Sequence, residues 1–359
     1  MAIIKFPADR EHVRLGGRTF TEKDICYIDY TCTFAEFEFE GTYAEVSIIS
    51  DLFPPEDIFR GWLAVFVNGQ MTDRFKVDEK RMTYVLYKSD KPERVKIRLM
   101  KLSEAAFAKV GIECFGIEGK LLPPPAPEYE RRIEFLGDSI TCGYGVEGVW
   151  NKDTFSTATE NPLKGYAYKT AQKCRAEFQY VSWSGMGVIS CFVEENAEKP
   201  LDNWLMKDIY PYNDSGLENT LGREGHENHT PWEFTKYRPQ IVVFNDGTND
   251  RSWTKDIPER RRDFEEGYYE ILQMLREKNP QAYIVCTYGI MGNELEAEEI
   301  RQTERFKREH DDRICFVPLP VQSESDGIGA DWHPSERSHE IVSDILSAKL
   351  SEIFESMGL

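Results

Sequence analysis

The chain has 359 residues, with 44 Lys and Arg against 63 Asp and Glu, a formal net charge of −19 and 13% aromatic residues. So negative a chain repels nucleic acid and anionic membranes, whereas a neutral sugar meets no such penalty. No segment is apolar for the length a bilayer requires, and the N-terminus Met1-Ala2-Ile3-Ile4-Lys5-Phe6-Pro7 carries no basic leader with an apolar core; as written the sequence predicts a cytoplasmic protein, or a secreted one if a leader has been trimmed.

The length exceeds what one core usually supports and predicts two domains. The first third holds β-rich runs at residues 34–40, 44–49, 62–67 and 94–100, several alternating with period two, and a closing run at 110–118. Gly16-Gly17 and Asn68-Gly69 supply turn chemistry, so residues 1–122 read as a β-sandwich of jelly-roll type. Pro123, Pro124, Pro125 and Pro127 then stiffen the chain and cannot donate backbone hydrogen bonds, which makes residues 123–130 a linker and 131–359 the second domain.

In that second domain apolar runs at 133–136, 178–183, 241–244, 283–287 and 314–317 alternate with helical stretches. The rhythm predicts an α/β fold: five parallel strands between two helical layers. Residues 201–232 are polar and aromatic without periodicity, as in loops that line binding sites. Ser335 reads as the N-cap of a last helix, with Ile341, Val342, Ile345, Leu346, Leu350, Ile353 and Phe354 on one stripe and Gly358 ending it. The eight cysteines are scattered, with no Cys-x-x-Cys pair, and read as reduced and buried.

Ser139 stands in Gly137-Asp138-Ser139-Ile140-Thr141, at the exit of the strand predicted at 133–136. Open α/β sheets carry their chemistry at that edge. A serine hydroxyl needs a base to take its proton, and histidine suits that near neutral pH. Among six histidines, His333 in Asp331-Trp332-His333-Pro334 lies just past the fifth strand, which returns it to the same edge. Acyl transfer also needs donors for the negative charge on the carbonyl oxygen. Asn249, in Gly247-Thr248-Asn249-Asp250, offers a side-chain amide, and Gly185 and Ser139 offer backbone N–H groups; Gly187 is an alternative to Gly185.

Two other patterns are set aside. His226 and His229 form a His-x-x-His pair with no third ligand nearby and read as a polar surface loop, while His310 and His339 read as solvated. Gly143-Tyr144-Gly145-Val146-Glu147-Gly148 matches the dinucleotide pattern literally, but its first glycine comes seven residues after Leu136 and no helix follows. It reads as a rim beside Ser139.

Gly-Asp-Ser together with Gly185, Asn249 and His333 resembles the SGNH, or GDSL, hydrolase superfamily. Gly137 to Gly145, residues 155–161, Ser184-Gly185-Met186-Gly187 and Asp331 to Ser335 resemble carbohydrate esterase family 2. So does the order of a β-sandwich before the hydrolase, so the resemblance covers essentially the whole chain. It implies an SGNH three-layer domain that removes O-acetyl groups from xylan, glucomannan or acetylated oligosaccharides, with neither metal nor organic cofactor. By motif, Ser139 is the nucleophile and His333 the base, with Ser139, Gly185 and Asn249 as the oxyanion hole. The superfamily places an aspartate three residues before the histidine, where this chain has Ala330. Asp331, two before, is the expected third triad member, with a backbone carbonyl as the alternative. Trp332 is expected to stack on sugar, with Trp253, Trp204 and Phe192 extending the platform.

Two competing functions share these residues. A lipase or thioesterase would need an apolar channel, which the tryptophans and tyrosines of the loops do not suggest. A non-catalytic carbohydrate-binding protein would have no use for an intact Ser, Asn and His set. Oligomeric state, homo-oligomer included, is left open by the sequence.

Overall fold

A computed structural model describes residues 2–359. Its contacts divide the chain into Met1–Glu128 with Ser156–Ala158 and Gly216–Arg223, and Tyr129–Phe155 with Thr159–Ser215 and Glu224–Leu359. The division at Glu128 falls inside the expected linker, but two short segments beyond that linker fold with the first unit.

The first unit contains β1 (Ile4–Phe6), β2 (Arg14–Gly16), β3 (Phe20–Glu22), β4 (Ile25–Tyr27), β5 (Phe34–Ser50), β6 (Trp62–Val67), β7 (Gln70–Lys76), β8 (Arg81–Lys101) and β9 (Val110–Leu121). They form one antiparallel sheet, with β3-β4-β9-β5-β8-β6-β7 as its main path, curled around its core. The runs at 34–40 and 44–49 are a single strand. Register shifts at Gly41/Tyr43 and Ala44/Glu45 restart its alternation, which is why the sequence pattern breaks there. Asn68 and Gly69 both take positive φ in the β6–β7 turn, the geometry that suits a two-residue hairpin. Phe37, Phe39, Val46, Ile48, Ile97, Phe115 and Ile117 are fully buried inside the curl, each side chain contributing about 1.5–3 kcal/mol.

The second unit runs β10 (Arg131–Gly137), α1 (Ser139–Cys142), α2 (Tyr166–Lys173), β11 (Ala176–Ser182), α3 (Met206–Ile209), α4 (Ser215–Thr220, most of which folds with the first unit), β12 (Ile241–Asn245), α5 (Asp250–Thr254), α6 (Pro258–Lys278), β13 (Tyr283–Ile290), α7 (Glu296–Glu309), β14 (Ile314–Val321) and α8 (Glu336–Ser356). The five strands are parallel in the order β11-β10-β12-β13-β14. All five residues of β12 are buried, as a sheet covered on both faces demands.

Side-chain alternation creates the two helical layers. Phe135 of β10 meets Tyr166 of α2 on one face, while Phe244 of β12, one position out of register with it, meets Tyr268 of α6 on the other. Ser335 caps α8 by accepting a hydrogen bond from the Ser338 amide at 3.2 Å. All eight cysteines are free thiols, six of them buried. Among the described residues no helix is long and apolar enough to cross a membrane.

Candidate active site

β10 ends at Gly137, and the next two residues turn the chain into α1. Asp138 caps that turn, its Oδ1 accepting the Ile140 amide at 2.9 Å. Ser139 is thereby fixed at the carboxyl edge of the sheet, only 6% exposed. His333 reaches it from the loop between β14 and α8, with Nε2 2.8 Å from Ser139 Oγ. The imidazole Nδ1 lies 3.1 Å from the main-chain carbonyl of Asp331. A carbonyl only accepts, so Nδ1 carries the proton and Nε2 is left to take one from the serine.

The loop holding His333 is tightly tied. Gly329 donates to the His333 carbonyl at 2.7 Å, His333 to the Ala330 carbonyl at 3.0 Å, and Ala330 to the Gly145 carbonyl at 3.0 Å. Tyr144 lies against the base, its ring centroid 3.9 Å from that of the imidazole, and is backed by Phe155 at 4.6 Å. Burial pushes the His333 pKa down to about 4, against the opposing pull of the Asp331 carbonyl and carboxylate. The base is neutral at physiological pH.

Asn249 follows β12 and brings its amide to the same edge. Its Nδ2 donates to the Met186 carbonyl at 2.6 Å and more weakly to Asp138 Oδ2 at 3.2 Å. Both neighbours accept, which fixes the nitrogen, not the oxygen, on that side. Gly185 has φ +78 and open space where a Cβ would stand, whereas a Cβ on Gly187 would lie 2.6 Å from Asp250 Oδ2. The space beside Gly185 is therefore open and that beside Gly187 is filled.

A hydroxyl activated by a neutral imidazole, beside an oriented amide and a glycine backbone, performs acyl transfer. Residues 135–341 match the GDSL-like Lipase/Acylhydrolase family, and residues 15–125 match the Carbohydrate esterase 2 N-terminal family. The chain belongs to carbohydrate esterase family 2, its catalytic half a GDSL-like acylhydrolase. It is 33% identical over 321 residues to the cellulase/esterase CelE of Acetivibrio thermocellus, a match covering 88% of this chain but 36% of that protein's length. It is 25% identical over 296 residues to an acetylxylan esterase / glucomannan deacetylase of Cellvibrio japonicus, covering 82% and 77% of the two chains. A family two carbohydrate esterase from Clostridium thermocellum, solved with cellohexaose, superposes with a TM-score of 0.81 at 31% identity over 96% of this chain and 99% of that one.

One expected contact of this family 2 esterase differs. The Asp331 carboxylate, expected on Nδ1, instead accepts the Tyr144 hydroxyl at 2.9 Å, and the carbonyl of the same residue orients the base. The cause is backbone shape: Asp331 and Trp332 have φ 49 and 66, a left-handed pair that swings the side chain away and the carbonyl in. Asp331→Asn is accordingly expected to lower kcat on nitrophenyl acetate less than about tenfold, where losing a carboxylate seated on Nδ1 costs about 10⁴-fold. A loss on the latter scale would return the acid role to the side chain.

The expected sugar platform divides in two. Trp332 and Phe192 are 37% and 54% exposed. Trp204 stacks on Trp183 at 4.9 Å, and Trp253 is covered by the Arg260 guanidinium at 3.5 Å. Two histidines read as solvent-facing are buried. His339 accepts the Tyr166 amide on Nδ1, and His229 packs edge-on against the Tyr212 ring; both lie in packing that sequence periodicity does not report.

Asp250 has a role that sequence reasoning missed. Fully buried, it accepts the amides of Val188, Ile189 and Ser190 at 2.9, 2.7 and 3.0 Å, clamping the loop that carries Gly185. Burial outweighs those donors and pushes its pKa up to about 6. Its place beside Asn249 was the available signal.

The depressed pKa of His333 predicts the pH profile. Protonation removes the base, so kcat/KM is expected to fall on the acid side with a midpoint near the shifted value of about 4 and to be flat above pH ~6. His339, pushed down to about 3 by burial, adds a stability term of matching sign. The unfolded chain binds these protons first, near pH ~6.5, so stability declines as pH falls below that value. Rates and circular dichroism recorded together from pH 3 to 8 separate the two; a midpoint near 6.5 in rate alone would contradict the depressed pKa of the base.

Proposed function

We propose that this chain is a serine esterase that removes O-acetyl groups from plant polysaccharides or oligosaccharides of the xylan and glucomannan type. The observation that carries the reading is the 2.8 Å contact between Ser139 Oγ and His333 Nε2. Ser139 Oγ attacks the acetyl carbonyl as its proton passes to Nε2, and the carbonyl π electrons move to the oxygen. The amide of Asn249 and the backbone N–H groups of Ser139 and Gly185 stabilise that oxyanion, each such donor lowering the barrier by about 2.7–4 kcal/mol. Collapse expels the sugar oxygen, which takes the proton from the imidazolium. Water repeats the sequence on the acetyl-enzyme and releases acetate.

Support for the acyl group and alcohol comes from several sides. The similar proteins include one named acetylxylan esterase / glucomannan deacetylase and one solved with a glucose oligomer. The exposed aromatic surface of Trp332, beside the base, suits the flat face of a sugar ring. The net charge of −19 costs a neutral glycan nothing. Acetate release from acetylated xylan and acetylated glucomannan is expected, and nitrophenyl acetate is expected to be cleaved at least about a hundredfold faster in kcat/KM than nitrophenyl octanoate. A preference for octanoate would make the enzyme a lipase, and absence of turnover on every ester would leave a glycan-binding protein.

A further inference from the structure

A groove with a mostly apolar lining and a charged rim lies on the first unit. It encloses about 470 Å³, and its floor is the outer face of the curled sheet. Cross-strand partners share a face. Tyr27 pairs with Gly111, Gly111 with Ile49, and Ile49 with Arg81, so the four form a row across β4, β9, β5 and β8. Their neighbours Cys26, Ile48 and Ile112 are buried in the core, which places this row on the side away from it. Side chains close over Gly111, where a Cβ would lie 2.5 Å from Ile25 Cγ2 and 3.1 Å from both Tyr27 Cε1 and Ile49 Cγ1, so Tyr27 and Ile49 are drawn together across the row.

The wall of the groove is built by Leu217, Thr220 and Leu221, in the segment that folds with this unit. Arg223 anchors that segment, pairing with Glu22 of β3 at 2.7 Å and with Glu218 at 3.1 Å while its guanidinium lies over the Phe20 ring. The wall is therefore tied to the strand next to the floor.

The rim chemistry is selective. In a chain of net charge −19, the groove is lined by three basic side chains, Lys80, Arg81 and Lys109, and one acidic one, Asp51. Arg81 is engaged by Glu113 at 2.6 Å, and the Lys109 ammonium donates to the Ala105 carbonyl. Lys80 makes no ion pair among the described residues and is exposed. Asp51 uses Oδ1 for the amides of Phe53 and Lys109, which leaves Oδ2 to accept from a hydroxyl. A ligand matched to this set has a flat apolar face for Tyr27 and Leu221, hydroxyl groups for Asp51 and an anionic group for Lys80.

We propose that this groove is a saccharide site outside the Ser139 centre, and that it takes an oligosaccharide bearing a uronate. The test uses the full chain carrying Ser139→Ala, titrated calorimetrically with xylotetraose bearing one glucuronic acid substituent and, separately, with plain xylotetraose. The uronate-bearing sugar is expected to bind about fivefold more tightly at low salt, with the difference shrinking as salt rises. Lys80→Gln is expected to erase the difference and Lys80→Glu to reverse it, while Tyr27→Ala weakens the uronate-bearing sugar about tenfold. In chains that retain Ser139, Lys80→Gln and Tyr27→Ala are expected to hydrolyse nitrophenyl acetate at the parent rate, which shows that they fold and that the ester chemistry stands apart. Equal affinity for the two sugars, or a preference that survives Lys80→Glu, would overturn the proposal whatever the esterase assays show.

Discussion

Replacing Ser139 by alanine is expected to lower kcat on acetylated xylan and on nitrophenyl acetate by at least about 10⁴-fold, and replacing His333 by alanine to do the same. The two groups act as one device: the proton that leaves Oγ goes to Nε2, 2.8 Å away, and neither step proceeds without the other. The double variant is therefore expected to lose no more than either single one. Initial rates at saturating substrate, with circular dichroism to confirm folding, decide the matter. Losses that multiply would mean that serine and histidine act independently, and a Ser139→Ala chain with parent activity would move the nucleophile elsewhere.

The second large effect is expected at Asn249. Its amide is held by the Met186 carbonyl at 2.6 Å and by the longer contact to Asp138, so it is oriented before substrate arrives. Asn249→Ala is expected to reduce kcat by about 10²–10³-fold with KM changed less than about threefold, the pattern of a donor that serves the transition state alone. Asn249→Asp keeps the shape but sets a carboxylate against the Met186 carbonyl and Asp138, and is expected to lose at least as much activity and to melt earlier. A large rise in KM with kcat preserved would assign the amide to ground-state binding instead.

The catalytic half was legible because a covered parallel sheet writes itself as continuous apolar runs. All five predicted runs became strands, and each motif followed the end of one. Ser335 and Gly358 marked the last helix for a similarly local reason. What stayed hidden depends on backbone path. Nothing in the letters Asp-Trp-His shows that residues 331 and 332 turn left-handed and present a carbonyl to the base. Nor does the sequence show that Tyr144, read as part of a rim, packs on that imidazole. In the first unit, β7 was missed because its residues are exposed or half-buried, and β5 was split because its register shifts broke the period. The assignment of residues 216–223 to the first unit has no local signature at all.

The peptide group that steadies His333 is common to every amino acid, so the acceptor on Nδ1 survives a change of side chain at position 331 that tolerates the left-handed backbone there. What it depends on is the number of links in the loop. Deleting one residue between Ala330 and His333 would withdraw the carbonyl from the base and silence the protein, whereas Asp331→Asn, which keeps the length of the loop, is expected to cost far less. An engineer adapting this enzyme to acidic slurries has therefore to keep both the length and the left-handed turn of that loop.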